Sequence, residues 1–201
     1  CLSDLRGEIT LVVNYEQTNG TVVESYIDGE LVSTTNVTLE FDFSNSESGR
    51  QLVEFGVEFS EGKESVTMNS DTATSVAVEF ADHGIYEVVA YAMDKKNIRE
   101  STTVTIRIDL SIEWSEQSTH EPSDLSIDPI PKNGGPHPVA IFIDSTVENP
   151  ELIENIGGGR DVEITWRLFD QAGEACLVRK GVVEDGDSAN WEAFHYNTYE
   201  I

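Results

Sequence analysis

The groups most able to do chemistry in this 201-residue sequence are carboxylates, since 38 Asp and Glu face 12 Lys and Arg for a formal net charge of -26. Calcium needs several such oxygens brought to one point. The closest candidates are Asp185 and Asp187 in Glu184-Asp-Gly-Asp187, and Asp144 with Glu148. Neither pair sits in the full twelve-residue spacing of an EF-hand loop, so calcium is the one cofactor the sequence suggests and nothing requires it. The four histidines are His83, His120, His137 and His195; His120 and His137 are 17 apart, too wide for the short ligand spacing of a zinc site. No Gly-x-Ser-x-Gly elbow occurs. Ser60-Glu-Gly-Lys63 matches Ser-x-x-Lys in form but falls in a turn between strand patterns. Gly157-Gly-Gly159 precedes Arg160 without a following helix pattern, so it is no phosphate loop. No nucleophile, base and acid stand out together, and no enzymatic activity is expected.

Aromatic side chains offer a second kind of chemistry. Trp191, Phe194, Tyr196 and Tyr199 crowd into ten residues. Exposed rings stack on sugars or anchor protein interfaces, so these four are the candidate ligand or interface residues. On a strand, alternate members face the interior, which competes with that reading. Asn19-Gly-Thr21 and Asn36-Val-Thr38 are sequons that would accept glycans on a secreted protein.

Cys1 opens the sequence, as in a lipoprotein whose signal peptide has been removed. That reading makes Cys1 the lipidation site, with the membrane contacted only through the lipid. Cys176 is the other cysteine. Its place in Ala175-Cys-Leu-Val178 suggests a small buried side chain, and a Cys1–Cys176 disulfide is the alternative that would exclude lipidation.

The acidity is evenly spread: residues 1–109 hold 20 acids and 7 bases, residues 110–201 hold 18 and 5, so each half is -13. An acidic tail would be lopsided. Such a surface repels phosphate, which argues against nucleic acid as a partner. No apolar run approaches the roughly 20 residues of a membrane helix.

The elements that must position these groups are strands. Val37, Leu39, Phe41 and Phe43 alternate with Thr38, Glu40 and Asp42, the pattern of a half-buried strand. Residues 8–15, 22–33, 52–59, 76–80, 86–93 and 103–108 read likewise, and Asp28-Gly29 signals a hairpin. Strands at about ten-residue spacing imply an all-β sandwich. Within this set, Val37-Thr-Leu-Glu-Phe-Asp-Phe-Ser-Asn-Ser46, Val57-Glu-Phe-Ser-Glu-Gly62, Phe80-Ala-Asp-His-Gly-Ile-Tyr-Glu-Val-Val-Ala-Tyr-Ala-Met-Asp94 and Thr102-Thr-Val-Thr-Ile-Arg-Ile108 follow one another. Residues 36–109 thereby resemble a PKD-type domain, an immunoglobulin-like β-sandwich of extracellular proteins. Residues 57–62 lack the Trp and the Gly-Asp pair usual in that family. The resemblance implies an Ig-like fold and no particular ligand.

Val104, Ile106, Ile108, Leu110, Ile112 and Trp114 alternate without a break. The expectation is that the last strand of a first domain (1–109) runs directly into a second (110–201), with Ile108 and Leu110 in different cores or at the joint. Residues 115–136 form a Pro- and Gly-rich loop, and 149–155 one helical turn. Strands are expected from 139, over 162–168, 175–183 and 188–196. Thr198-Tyr-Glu-Ile201 repeats the pattern of Ile85-Tyr-Glu-Val88, which opens the next-to-last strand of the first domain. By that analogy the second sandwich lacks its last strand or strands, which a continuation of the natural chain past residue 201 is expected to supply, a partner strand being the alternative.

Two functions from different classes follow. The first is a non-catalytic extracellular, cell-surface module serving adhesion, spacing or assembly, lipid-anchored, with a protein or glycan partner. The second is an accessory or carbohydrate-binding region of a larger secreted enzyme.

Overall fold

The computed structural model describes residues 8–60, 65–151 and 159–196. Every regular element among them is a strand: β1 Ile9–Thr10, β2 Asn19–Ile27, β3 Glu30–Thr35, β4 Val37–Asp42, β5 Glu47–Ser48, β6 Leu52–Phe59, β7 Val66–Asn69, β8 Ser75–Phe80, β9 Gly84–Asp94, β10 Arg99–Ser115, β11 Ala140–Glu148, β12 Val162–Phe169, β13 Ala175–Val183 and β14 Ser188–Tyr196. The protein is all-β. It divides into two compact units, Cys1–His137 and Pro138–Ile201.

In the first unit a six-stranded sheet, ordered β3-β2-β10-β9-β6-β7, faces the pair β4-β8, with β1-β5 alongside. The alternation seen in the sequence makes the core. Leu39, Phe41, Val76, Val78 and Phe80 come from the short pair; Val22, Phe55, Val57, Tyr86, Val88, Ala90, Val104, Ile106 and Ile108 come from the large sheet. Rings lock the two layers together. Phe43 stacks on Phe55 at 4.9 Å, and Phe59, Phe80 and Tyr86 meet edge to face at 5.1–6.1 Å. The β2–β3 hairpin turns on Asp28 and Gly29, at φ of 50° and 84°. Positive φ at both centres is what an Asp-Gly turn provides.

β10 departs from the expected domain boundary. It is extended over all 17 residues, including 103–114, yet it does not bridge two domains. Its first part pairs antiparallel with β9, from Arg99↔Met93 to Ile108↔Gly84. Its second part pairs parallel with β2, from Arg107↔Asn19 to Ser115↔Ile27. The strand is long because it serves two partners in one sheet, and the 109/110 boundary falls inside it. Leu110 packs against the same core that holds Ile108. The loop of residues 116–137 belongs to the first unit, where Lys132 binds Asp82 (2.7 Å) and the Asn133 amide donates to the Ile85 carbonyl (2.9 Å).

The β9–β10 turn is built around one carboxylate. Asp94 has 0% side-chain exposure and accepts from the backbone N–H of Lys96 (2.8 Å) and Ile98 (3.0 Å) and from Arg50 (3.0 Å). Burial pushes its pKa up, but the Ile98 N–H, the Arg50 guanidinium and the Lys96 N–H outweigh that and hold it below the ordinary carboxylate value. On the outer face of the sheet, Tyr91 lies over Gly56, its direct cross-strand partner. The Tyr91 hydroxyl donates to Glu54 (2.6 Å), and Arg99 sits 3.7 Å above the ring while gripping Glu58 with two bonds. Only a residue without Cβ fits beneath that ring.

The second unit has two antiparallel pairs, β11-β14 and β12-β13. Trp166 of β12 meets Trp191 of β14 at 5.9 Å, and the Trp166 indole donates to Ser145 of β11 (3.0 Å), so the two pairs face each other. The buried apolar side chains among the described residues of this unit are Val183 and Trp191. Cys176, expected to be buried, is exposed. It occupies the irregularity where the register shifts between Leu168↔Leu177 and Phe169↔Ala175, so alternation no longer turns it inward. Cys1, Lys63, Gly157, Tyr199 and the expected helical turn from 152 onward lie outside the described residues.

Candidate functional site: the outer face of β11 and β14

The register of β11 and β14 runs from Ala140↔Tyr196 to Glu148↔Ser188. Since side chains alternate, Ile141, Ile143, Ser145 and Val147 face inward with Ala189, Trp191, Ala193 and His195. The opposite face presents Phe142, Asp144, Thr146 and Glu148 beside Phe194, Glu192 and Asn190, with Tyr196 at the end. Phe142 and Phe194 are direct cross-strand partners with centroids 5.9 Å apart. Phe194 and Tyr196, two apart on one strand, lie 5.2 Å apart. Their exposures are 58%, 55% and 63%. Three clustered rings, each more than half in water, are unusual on a sheet surface, because nothing within the unit rewards leaving them there.

Polar groups continue the strip. Asp144 stands directly opposite Glu192, two carboxylates in a cross-strand position that like charges disfavour. Thr146 stands opposite Asn190 and its hydroxyl donates to the Asn190 amide oxygen (3.3 Å). Ala140, opposite Tyr196, is small and leaves one flank of that ring uncovered. The strip therefore runs from apolar rings to hydrogen-bonding acceptors on one face of the pair.

Trp191, expected beside these rings as a ligand residue, points the other way. It is 7% exposed and packs on Trp166. Strand alternation puts it on the inner face together with Ala189 and Ala193. Phe142 was not singled out in the sequence; the register that brings it to Phe194 joins residues 52 apart, and no local pattern shows it.

The expected calcium ligands are not brought together. Asp144 and Glu148 lie four residues apart on one strand, about 13 Å at strand rise. Asp185 instead accepts the Gly159 N–H (2.9 Å), and Asp187 lies in a turn closed by its own N–H to the Glu184 carbonyl (3.0 Å). Among the described residues no group of three His, Cys, Asp or Glu is placed to hold a metal ion. Asn19 and Asn36 are both exposed, and the Asn36 amide donates to Glu79 (2.9 Å).

Two other features were considered as sites. An open depression of about 310 Å³ at one end of the first unit is lined by Ser44, Ser46, Ser48, Arg50, Ser70 and Asp71, among others. Its side chains are committed: Ser46 bonds Val12, Ser70 bonds the Leu52 carbonyl, and Arg50 holds Asp94. Tyr26 and Trp114, cross-strand partners on β2 and β10, stack at 5.8 Å and 26°. Both are only half exposed, and the Tyr26 hydroxyl, donating to Glu24 (2.9 Å), has its pKa raised by that bond.

No family profile matches the chain, and no curated protein matches it significantly. Among solved structures it is similar to one described as a study of the promiscuous specificity of carbohydrate-binding modules from the β-sandwich superfamily, at 11% identity and a TM-score of 0.43. The match covers 95% of this chain, which spans 55% of that structure. A likeness this distant assigns no function.

Proposed function

We propose that this protein is a non-catalytic, extracellular binding module that holds a neutral polysaccharide on the outer face of β11 and β14. The observation that carries this is the cluster of Phe142, Phe194 and Tyr196, each more than half exposed, in line with Asp144, Glu192, Asn190 and Thr146. Rings stack on the apolar C–H faces of pyranose units. Carboxylate and amide oxygens accept from sugar hydroxyls, which gives the direction and spacing that stacking alone does not. The net charge of -26 disfavours anionic glycans and leaves neutral ones. An exposed strand surface suits an extended chain better than a small molecule, which prefers a concave pocket.

The test is retardation of the native protein in gels containing a neutral glucan, mannan or xylan. At least one should retard it, and Phe194→Ala with Tyr196→Ala should lower the affinity tenfold or more at unchanged circular dichroism. Absence of retardation by all three, or a double variant that migrates like the parent, would sink the reading.

A further inference from the structure

The second unit repeats a pairing of the first: β11 pairs with β14 and β12 with β13, as β4 does with β8 and β6 with β7. The outer face of β4 and β8, opposite the buried Phe41 and Val78, presents Thr38, Glu40, Asp42, Ser75, Ala77 and Glu79. No ring stands among them. The same face of β11 and β14 carries Phe142, Phe194 and Tyr196 beside its polar rungs, so the strip belongs to this sequence and not to the architecture. Its polar rungs set donors and acceptors in an order that narrows what it holds.

Ionised Asp144 and Glu192 accept hydrogen bonds and donate none. Neither β11 nor β14 carries a Lys or Arg, and neither carboxylate is ion-paired with another described residue. At the next rung the Thr146 hydroxyl donates to the Asn190 amide oxygen (3.3 Å). That bond orients the amide: its oxygen faces Thr146, and its NH2 group is turned away, with no described residue accepting from it. Among the described side chains of this face, that NH2 is the one group that donates without accepting; the hydroxyls of Thr146, Ser188 and Tyr196 do both. Asn190 and Glu192 are two residues apart on β14, so donor and acceptor stand side by side, about 7 Å apart at strand rise.

We propose that this pair selects polysaccharides of N-acetylated amino sugars and holds the acetamido group between Glu192 and Asn190, an inference that rests on the reading of this face as a glycan site. A trans secondary amide carries its N–H and C=O on opposite sides. Laid along β14, its N–H donates to the Glu192 carboxylate and its C=O accepts from the Asn190 NH2. A sugar hydroxyl also donates and accepts, but its two bonds of about 2.9 Å meet at one oxygen and reach less far. A free amine offers only donors and leaves the Asn190 NH2 unmatched. The acetamido group is uncharged, in keeping with the net charge of -26. Phe142 and Phe194, one rung beyond Glu192, stack on the neighbouring pyranose. The rings hold any neutral pyranose chain; Asn190 and Glu192 decide which is held best.

Titration calorimetry of the whole chain with two soluble hexamers of the same linkage, one of N-acetylglucosamine and one of glucose, tests this. The N-acetylated hexamer is expected to bind tenfold or more tighter, because it adds one neutral and one charge-assisted hydrogen bond. Asn190→Asp keeps the shape and the bond from Thr146 but replaces the donor with an acceptor, and should bring the two affinities to within about twofold of each other. Thr146→Val frees the amide to rotate and should lower their ratio about threefold. Phe194→Ala with Tyr196→Ala should weaken both hexamers alike and leave the ratio in place. All these positions are exposed, and circular dichroism checks that the fold is kept. Equal binding of the two hexamers, or a ratio unchanged by Asn190→Asp, would overturn the proposal and leave the glycan site standing. Binding of neither hexamer would overturn it too, and the glucan, mannan and xylan gels then show whether the glycan site falls with it.

Discussion

The two units share four strands in the same order and pairing, yet they treat their apolar residues in opposite ways. The first unit adds β9 and β10 against β6, and with them Tyr86, Val88, Ala90, Val104, Ile106 and Ile108, all buried. The second has no described counterpart of those two strands, and Val183 and Trp191 are its buried apolar residues among those described. Alternation of apolar and polar residues is equally clear in both. Burial differs because a residue facing inward is only covered if a second layer is wide enough to meet it. Strand pattern thus sets which way a side chain points, and the number of strands sets whether it is dry.

Several substitutions would sharpen or break that contrast. The largest effect is expected at the cores. Phe41→Ala in the first unit should cost about 3–5 kcal/mol of stability in urea unfolding, whereas Phe142→Ala, the same change on an exposed face of the second, should stay within about 0.5 kcal/mol. Equal losses would mean that the second unit buries Phe142 after all. Next comes acid sensitivity. A carboxyl whose pKa is lowered by folding stabilises above its unfolded value, near 4, and loses that contribution as pH falls through the folded value. Asp94 and Glu58 are both lowered, Glu58 mainly through its bond with Arg99. The urea midpoint should drop between pH 5 and 3, and Asp94→Asn should flatten that drop; an unchanged slope would remove Asp94 from the account. Gly56→Ala is third. Its methyl would press into the Tyr91 ring, and overpacking of this kind costs about 1–3 kcal/mol. The smallest is Tyr86→Phe, which deletes a 2.7 Å bond from the hydroxyl to the Asp82 carbonyl and should cost about 0.5–1.5 kcal/mol by the same urea measurement.

Much of this architecture could be read locally. The strict alternation of Val37 to Phe43, of residues 162–168 and of 188–196, and the Asp28-Gly29 turn, each depend on neighbours in sequence, and each appears where expected. Residues 8–15 were less faithful. Only Ile9–Thr10 forms a strand, with a single bridge from Asn14 to Asp42, because the segment has few ladder partners there. What the sequence hides is pairing at long range. The parallel union of β2 with β10, the partner change inside β10, the Arg50–Asp94 bond and the meeting of Phe142 with Phe194 all join distant residues. Their side chains look the same in any register. The unbroken run from Val104 to Trp114 was correctly extended but assigned to two domains, since length alone does not say whose edge a strand lies on. The aromatic strip was half legible: Phe194 and Tyr196 stood out by type, while Trp191 was separated from them only by the one-residue offset of a strand.

The union of β2 and β10 also has a mechanical side. The two strands run in the same direction, paired from Asn19↔Arg107 to Ile27↔Ser115. Tension applied between residue 19 and residue 115 pulls the start of one strand against the end of the other. Such a load slides the ladder lengthwise, so its hydrogen bonds must fail together instead of opening one at a time from an end. Rupture under force reports the unfolding barrier and not the equilibrium stability. The first unit is therefore built to resist stretching along this axis more strongly than its thermal stability alone would suggest.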